Sequence, residues 1–284
     1  MSDENLAFID MVSFFVFACQ TPATKSVESN DTKTEEEINN SSNAINEHSI
    51  DTGITIYLTF DDGPYTTTPA IDSLLTALDI KASFFIVGSQ MQWSNKYDSI
   101  FLAEKNNPLF KIYNHTYSHA ITNGKLHSYY AHPDSVWLDI EHNKAFLGLT
   151  SNITRLPGTN SWKIGDYRRG TKEDAYQVIK LTDSLMLPQS FIGWDAEWRI
   201  GASKQIRYVD TLIKKVGELT LKPRQHQKHV VILFHDFLFH SNTSLEHLVY
   251  FIHDLQNKYH PKFDWVENYP GMSQSLTAAN DAGN

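Results

Sequence analysis

The stretch Ile54-Thr55-Ile56-Tyr57-Leu58-Thr59-Phe60 runs directly into Asp61-Asp62-Gly63-Pro64. Its β-branched and aromatic residues and the Gly-Pro stop read as a buried strand that ends in a tight turn. Short apolar runs recur downstream at Ala82–Val87, Phe110–Tyr113, Phe191–Trp194 and Val230–Phe234, with a weaker one at Ile153–Leu156. Longer amphipathic stretches between them predict helices over Pro69–Leu78, Tyr97–Lys105, Asp134–Leu149, Lys172–Met186, Lys204–Leu219 and Ser244–Lys258. Pro69 suits a helix start through its fixed φ and missing N–H, and Asp134 after Pro133 can cap the helix that follows. Alternating strands and helices imply a parallel sheet flanked by helices, and six or seven such units suit a closed or nearly closed α/β barrel. In that architecture functional side chains gather at the carboxyl ends of the strands.

Charge is unevenly spread along the 284 residues. Of a net −9, residues 1–19 carry −3 and residues 20–52 carry −5, which leaves −1 for everything after. A nearly neutral folded region has no surface for a phosphate backbone, so nucleic acid is not an expected partner. The lone Cys19 excludes an intrachain disulfide. It closes the apolar run Met11–Ala18, which resembles a bacterial lipoprotein signal whose cleavage leaves a lipidated cysteine, although acids precede the run and Phe17 stands where a small residue is usual. The run is too short to span a bilayer, which takes about 20 residues. Residues 20–52 are mostly Ser, Thr, Asn and Glu with scattered apolar residues, no aromatic and no period, and read as a flexible tether. The expected organisation is a leader over 1–19, a tether over 20–52, a folded domain over 53–270 and a tail over 271–284.

Five polar clusters follow the predicted strands in order. Asp61-Asp62-Gly63-Pro64 places two carboxylates at one strand end, where one can bind a metal and the other a water; a solvated Asp-Gly turn is the alternative. Asn114-His115-Thr116-Tyr117-Ser118-His119 spaces two histidines at i and i+4, so that on a helical turn both imidazoles converge on one ion. Val230–Phe234 ends in His235, suited to give a proton to a leaving amine near neutral pH. Arg155-Leu156-Pro157-Gly158 and Trp194-Asp195-Ala196-Glu197-Trp198 complete the set. The other histidines, among them His127, His142, His247 and His253, lack such a setting and read as surface or core.

The ordered set TFDDGP, HTYSH, RLPG, WDAEW and LFH resembles the five motifs of the NodB-type polysaccharide deacetylases, carbohydrate esterase family 4, over roughly Gly53 to Tyr269. The resemblance implies a distorted (β/α) barrel with Asp61 as general base and Asp62, His115 and His119 as ligands of a divalent metal, usually Zn²⁺, with Co²⁺ or another ion able to serve. It implies that Arg155 orients Asp61, that His235 is the general acid, and that Asp195 holds and tunes His235. Leu233 and Trp198 then border the pocket for the acetyl methyl, and a backbone N–H near Gly158 faces the oxyanion. Two departures stand out: Gly158 occupies a place where the family usually carries an aromatic, and WDAEW is one residue shorter than the common form, which leaves the alignment of Asp195, Glu197 and Trp198 open.

The function so implied is removal of N-acetyl, or O-acetyl, groups from a cell-wall or extracellular polysaccharide, with an N-acetylated glycan as partner. Tether and anchor point to the cell envelope, with membrane contact only through the lipid and no obligate protein partner evident. A related amidohydrolase acting on a small non-sugar amide shares the metal site but needs a closed pocket. A non-catalytic glycan-binding module is expected to have lost Asp61 or a ligand, and none is lost.

Overall fold

The computed structural model describes residues 52–121 and 129–272. Its elements in chain order are β1 (Thr55–Asp61), α1 (Thr68–Ala77), β2 (Ala82–Ile86), α2 (Asn95–Asn106), β3 (Phe110–Asn114), α3 (Pro133–Leu147) and β4 (Ile153–Thr154). There follow β5 (Trp162–Ile164), β6 (Tyr167–Arg169), α4 (Tyr176–Ser184), β7 (Ser190–Phe191), β8 (Ala196–Glu197), α5 (Ile200–Lys204), α6 (Ile206–Leu221), β9 (His229–His235), α7 (Asn242–Tyr259) and β10 (Lys262–Phe263). The sheet runs β6-β5-β7-β4-β3-β2-β1-β9-β8, with β10 beside the start of β1. Every pairing is parallel except those of β5 with β6 and β7. This is the expected α/β fold with a curled, distorted barrel.

Alternation along the strands sorts side chains between two layers. Ile56, Leu58 and Phe60 of β1 face the helices, where Phe60 stacks between Phe84 and Phe234, its register partners on β2 and β9, at 5.1 and 4.9 Å. Tyr57, Thr59 and Asp61 face inward; Tyr57 joins Phe85, Tyr113, Trp162, Val231 and Tyr269 in a dry interior cluster. The clusters TFDD, NH and LFH therefore sit at the carboxyl ends of the central strands β1, β3 and β9, above a packed floor.

No strand pair joins β6 to β8 among the described residues; the gap is bridged by side chains. Arg169 on β6 donates to Asp195, just before β8, at 2.9 Å, and Arg224 reaches the same carboxylate oxygen at 3.3 Å. The other oxygen accepts from the Val231 N–H at 3.0 Å.

Several expectations need correction. The β5–β6 hairpin and β8 and β10 were not predicted, because strands of two or three residues give too little periodicity to read. The run Phe191–Trp194 pairs only through Phe191. Beyond it Gly193 passes so close to Asn160 and Trp162 that a Cβ there would lie 2.0 and 2.4 Å from their side chains. The helix expected over Lys204–Leu219 runs Ile206–Leu221, and the extended Gln205 separates it from the short, unexpected helix Ile200–Lys204. Asp134 does not cap α3: His132 holds that position and Pro133 opens the first turn. Met272, buried against the interior cluster, extends the folded core past the expected boundary at 270.

On the helix side, Asp72 of α1, Glu104 of α2 and Asp236 after β9 form a buried acidic group, and Glu104 has no hydrogen-bond partner on either carboxylate oxygen. Burial, reinforced by mutual repulsion, pushes Asp72 up to about 8 and Glu104 well above its usual range. Burial also pushes Asp236 up to about 7, against a Thr68 hydrogen bond and with help from Asp62 and Asp61. Acids with raised folded pKa bind more protons in the native state, so their contribution to stability is present at low pH and lost as pH rises from about 4 toward 8. Urea unfolding across that window is expected to show a loss of stability attributable to these groups, and Asp72→Asn is expected to flatten it.

Candidate active site

Asp61 is the last residue of β1, and Asp62 turns the chain with φ 71° ahead of a cis Gly63–Pro64 bond. Gly63 is required here, since a Cβ would lie 2.8 Å from Asp236 Oδ2. His115 follows β3 directly, but the two histidines do not ride a helical turn as expected. The segment is an irregular loop in which Thr116 and His119 take positive φ values of 65° and 54°. It is braced rather than helical: Asn114 Oδ1 accepts from the Thr116 N–H, Asn143 of α3 donates to the same oxygen, and Asp139 of α3 accepts from the Ser118 N–H and hydroxyl.

The result still converges. His119 Nε2 lies 2.8 Å and His115 Nε2 3.2 Å from Asp62 Oδ1, with the ligand atoms of all three within 4.8 Å of one another. The Nδ1–H of His115 is placed to donate to the Arg155 carbonyl at 2.8 Å, which leaves its Nε2 lone pair toward Asp62. Asp62 Oδ1 is buried, and apart from these two imidazoles no donor reaches it among the described residues. One carboxylate oxygen and two imidazole nitrogens aimed at one point fit a divalent ion of the zinc type, with positions left for other ligands.

The electrostatics agree. Burial alone would raise the Asp62 pKa, yet the hydrogen bonds and charge of His115 and His119 hold it well below the usual carboxylate range. Burial likewise favours neutral His115, but Asp61 and Asp62 outweigh it and raise the ring's pKa. The pocket thus selects positive charge at the point the nitrogens and Asp62 share.

Asp61 is oriented as expected. Arg155, fully buried, donates through Nη1 to Asp61 Oδ1 at 2.8 Å and to Thr59 Oγ1 at 2.7 Å, and through Nη2 and Nε to the Gly193 and Ile192 carbonyls. The other Asp61 oxygen lies 3.7 Å from His115 Nε2. His235, the register partner of Asp61 on β9, brings Nε2 within 4.0 Å of Asp62 Oδ2 and keeps its side chain 24% exposed at the mouth. Leu233 lies on the inner face two residues below it, in register with Thr59. Gly158 takes φ +67° with open space where a side chain would stand, and among the described residues its N–H has no acceptor.

Two expected residues are elsewhere. Asp195 is bound to Arg169, Arg224 and Val231, and at about 3.3 Å per residue Val231 is roughly 13 Å along the strand from His235. It closes the barrel and does not hold His235. Trp198 is on the helix side, packed against Phe234, Phe239 and Phe251 with its Nε1 donating to Ser203, so it cannot border an inner pocket. Period-two alternation puts Glu197, which pairs with Leu233, on the inward face opposite Trp198, while Trp194, ahead of the strand, packs on the interior cluster 6.0 Å from the Arg155 guanidinium.

Residues 48–157 match the family model described as polysaccharide deacetylase. Over that stretch the chain resembles the polysaccharide deacetylases. Among solved structures, the catalytic domain of peptidoglycan N-acetylglucosamine deacetylase from Eubacterium rectale aligns with TM-score 0.55 and 20% identity, covering 76% of this chain and 89% of that one. Peptidoglycan deacetylase PdaC from Bacillus subtilis, in a mutant form, aligns at 0.50 and 18%, covering 81% and 96%. A family 4 carbohydrate esterase from Streptomyces lividans, in complex with acetate, aligns at 0.50 and 18%, covering 77% and 95%. At these identities the likeness is one of fold. A search of curated proteins gives no match.

Two outcomes follow from this geometry. A proton on His115 Nε2 must leave before an ion binds, so Zn²⁺ affinity measured by titration calorimetry is expected to climb about tenfold per pH unit below the raised His115 pKa, and Asp62→Asn to abolish it. Asp195→Asn is expected to lower unfolding stability by about 3 kcal/mol in urea titration, since it strands two arginines.

Proposed function

We propose that the chain is a metal-dependent N-deacetylase acting on a cell-wall or extracellular polysaccharide. The observation that carries this reading is the meeting of an ion-binding triad, an Arg-held carboxylate and an imidazole at the ends of central strands of one sheet: Asp62–His115–His119, Asp61 and His235. Asp62, His115 and His119 would hold a divalent ion, Zn²⁺ or Co²⁺, which when bound polarises the amide carbonyl and acidifies water.

The chain's own groups then have separate tasks. Asp61, fixed by Arg155, accepts a proton as water adds to the amide carbon. Arg155 keeps that carboxylate in one orientation while Thr59 takes the remaining Nη1 contact below it. As the carbon–nitrogen bond breaks, His235 Nε2 gives its proton to the departing sugar amine, so acetate and a free amine result. The free Gly158 N–H suits an oxygen that gains charge in the transition state. Leu233 offers apolar surface for the acetyl methyl.

The envelope location and a lipid anchor at Cys19 belong to the same proposal; residues 1–51 lie outside those described. No described helix is long and apolar enough to cross a membrane. A glycan partner rests on the family and on the opening of the site through His119 and His235.

The test is acetate release from N-acetylglucosamine oligomers, peptidoglycan and acetylated exopolysaccharide, using metal-stripped protein with and without Zn²⁺ or Co²⁺. Release that needs the ion and falls at least about a thousandfold in Asp61→Asn is expected. An ion-loaded protein that releases no acetate from any of these glycans contradicts the proposal.

A further inference from the structure

Directly after His235, residues Asp236–Leu238 form a single 3₁₀ turn. Asp236 and Leu238 are buried, whereas Phe237 between them is 46% exposed. The turn is pinned from below: Thr67 Oγ1 donates to the Asp236 carbonyl at 2.9 Å, and the Thr68 hydroxyl donates to Asp236 Oδ2. Thr68 Oγ1 in turn accepts from the Tyr65 N–H at 2.8 Å. With both neighbours fixed inside, the Phe237 ring has no inward position to occupy.

That ring stands 5.6 Å from the His235 ring and 6.1 Å from Tyr65, which meets it edge-on at 71°. Among the described large apolar side chains left exposed, it is the one whose ring contacts a residue of the proposed proton-transfer pair. An aromatic ring held in water beside a reactive group gains free energy only when a ligand's apolar face covers it. Its place decides which part of the ligand that is. His235 serves the leaving nitrogen, so Phe237 lies on the sugar side of the scissile bond and not on the acetyl side.

We propose that Phe237, backed by Tyr65, is a stacking subsite for a sugar unit adjoining the one that loses its acetyl group. The ligand class is an oligosaccharide of N-acetylated pyranoses, whose rings present an apolar C–H face to Phe237 and hydroxyls to water. This deepens, and rests on, the deacetylase reading of the same site. A single sugar or a small amide does not reach the subsite; a chain of several units does.

The experiment compares wild type, Phe237→Ala and Phe237→Trp on N-acetylglucosamine oligomers of one to five units. It measures kcat/KM on the Zn²⁺-loaded enzyme and, separately, affinity by saturation-transfer NMR on the Asp61→Asn background. The expected result is that kcat/KM and affinity rise with length in wild type, that Phe237→Ala loses about tenfold of that rise, mainly in KM, and that Phe237→Trp restores it. A length profile in Phe237→Ala that superimposes on wild type overturns the subsite, as does an equal loss on every length carried by kcat. Should wild type release no acetate at all, the deacetylase reading falls, and the NMR arm still decides: length-dependent binding lost in Phe237→Ala keeps the subsite, and equal or absent binding removes it.

Discussion

The buried guanidinium of Arg155 ties the site together. Its donors reach Asp61 and Thr59 on β1 and the carbonyls of Ile192 and Gly193 after β7, while its own carbonyl receives the Nδ1–H of His115. A cation fully out of water is tolerable only with its hydrogen bonds met and a counter-charge at hand. Asp61 supplies the charge, and the fixed fork of the guanidinium supplies direction that a lysine ammonium could not. One side chain thereby sets the orientation of the proposed base and, through its main chain, the tautomer of a proposed metal ligand.

The rest of the barrel reads as support for that arrangement. Parallel register brings Asp61 and His235 side by side, and β3, two strands from β1 across β2, delivers His115. Because the sheet's first and last strands are not paired, closure depends on Asp195 and its two arginines, a polar clasp where a regular barrel has a ladder. Asp236 joins the outer layer to the site: it fixes the loop after Asp62 through Thr67 and Thr68, and its near contact with Gly63 explains why no larger residue fits there.

Much of this was legible in the sequence. Strong runs such as Ile54–Phe60 and Val230–Phe234 declare strands by length and composition, and charged residues at their ends mark the catalytic face. The clusters at Asp61-Asp62, His115–His119, Arg155 and His235 come together as their order implied. What failed depends on geometry that spacing does not encode. The HTYSH segment reaches convergence through left-handed residues, not a helical turn. In WDAEW the two-residue strand turns Glu197 inward and leaves Trp198 to the helix-facing core, while Trp194, ahead of the strand, packs on the interior cluster. Asp195 is an acid in a motif, but its nearest charges come from Arg169 and Arg224, distant in sequence and invisible to it.

The central claim is that Asp62, His115 and His119 hold one divalent ion beside Asp61. Anomalous diffraction at the zinc edge from crystals of the Zn²⁺-loaded protein tests it most directly. The account predicts a single strong peak within bonding distance of Asp62, His115 Nε2 and His119 Nε2, with Asp61 next to it but held by Arg155. A peak elsewhere, or none with Asp62 hydrogen-bonded to protonated imidazoles, would contradict it.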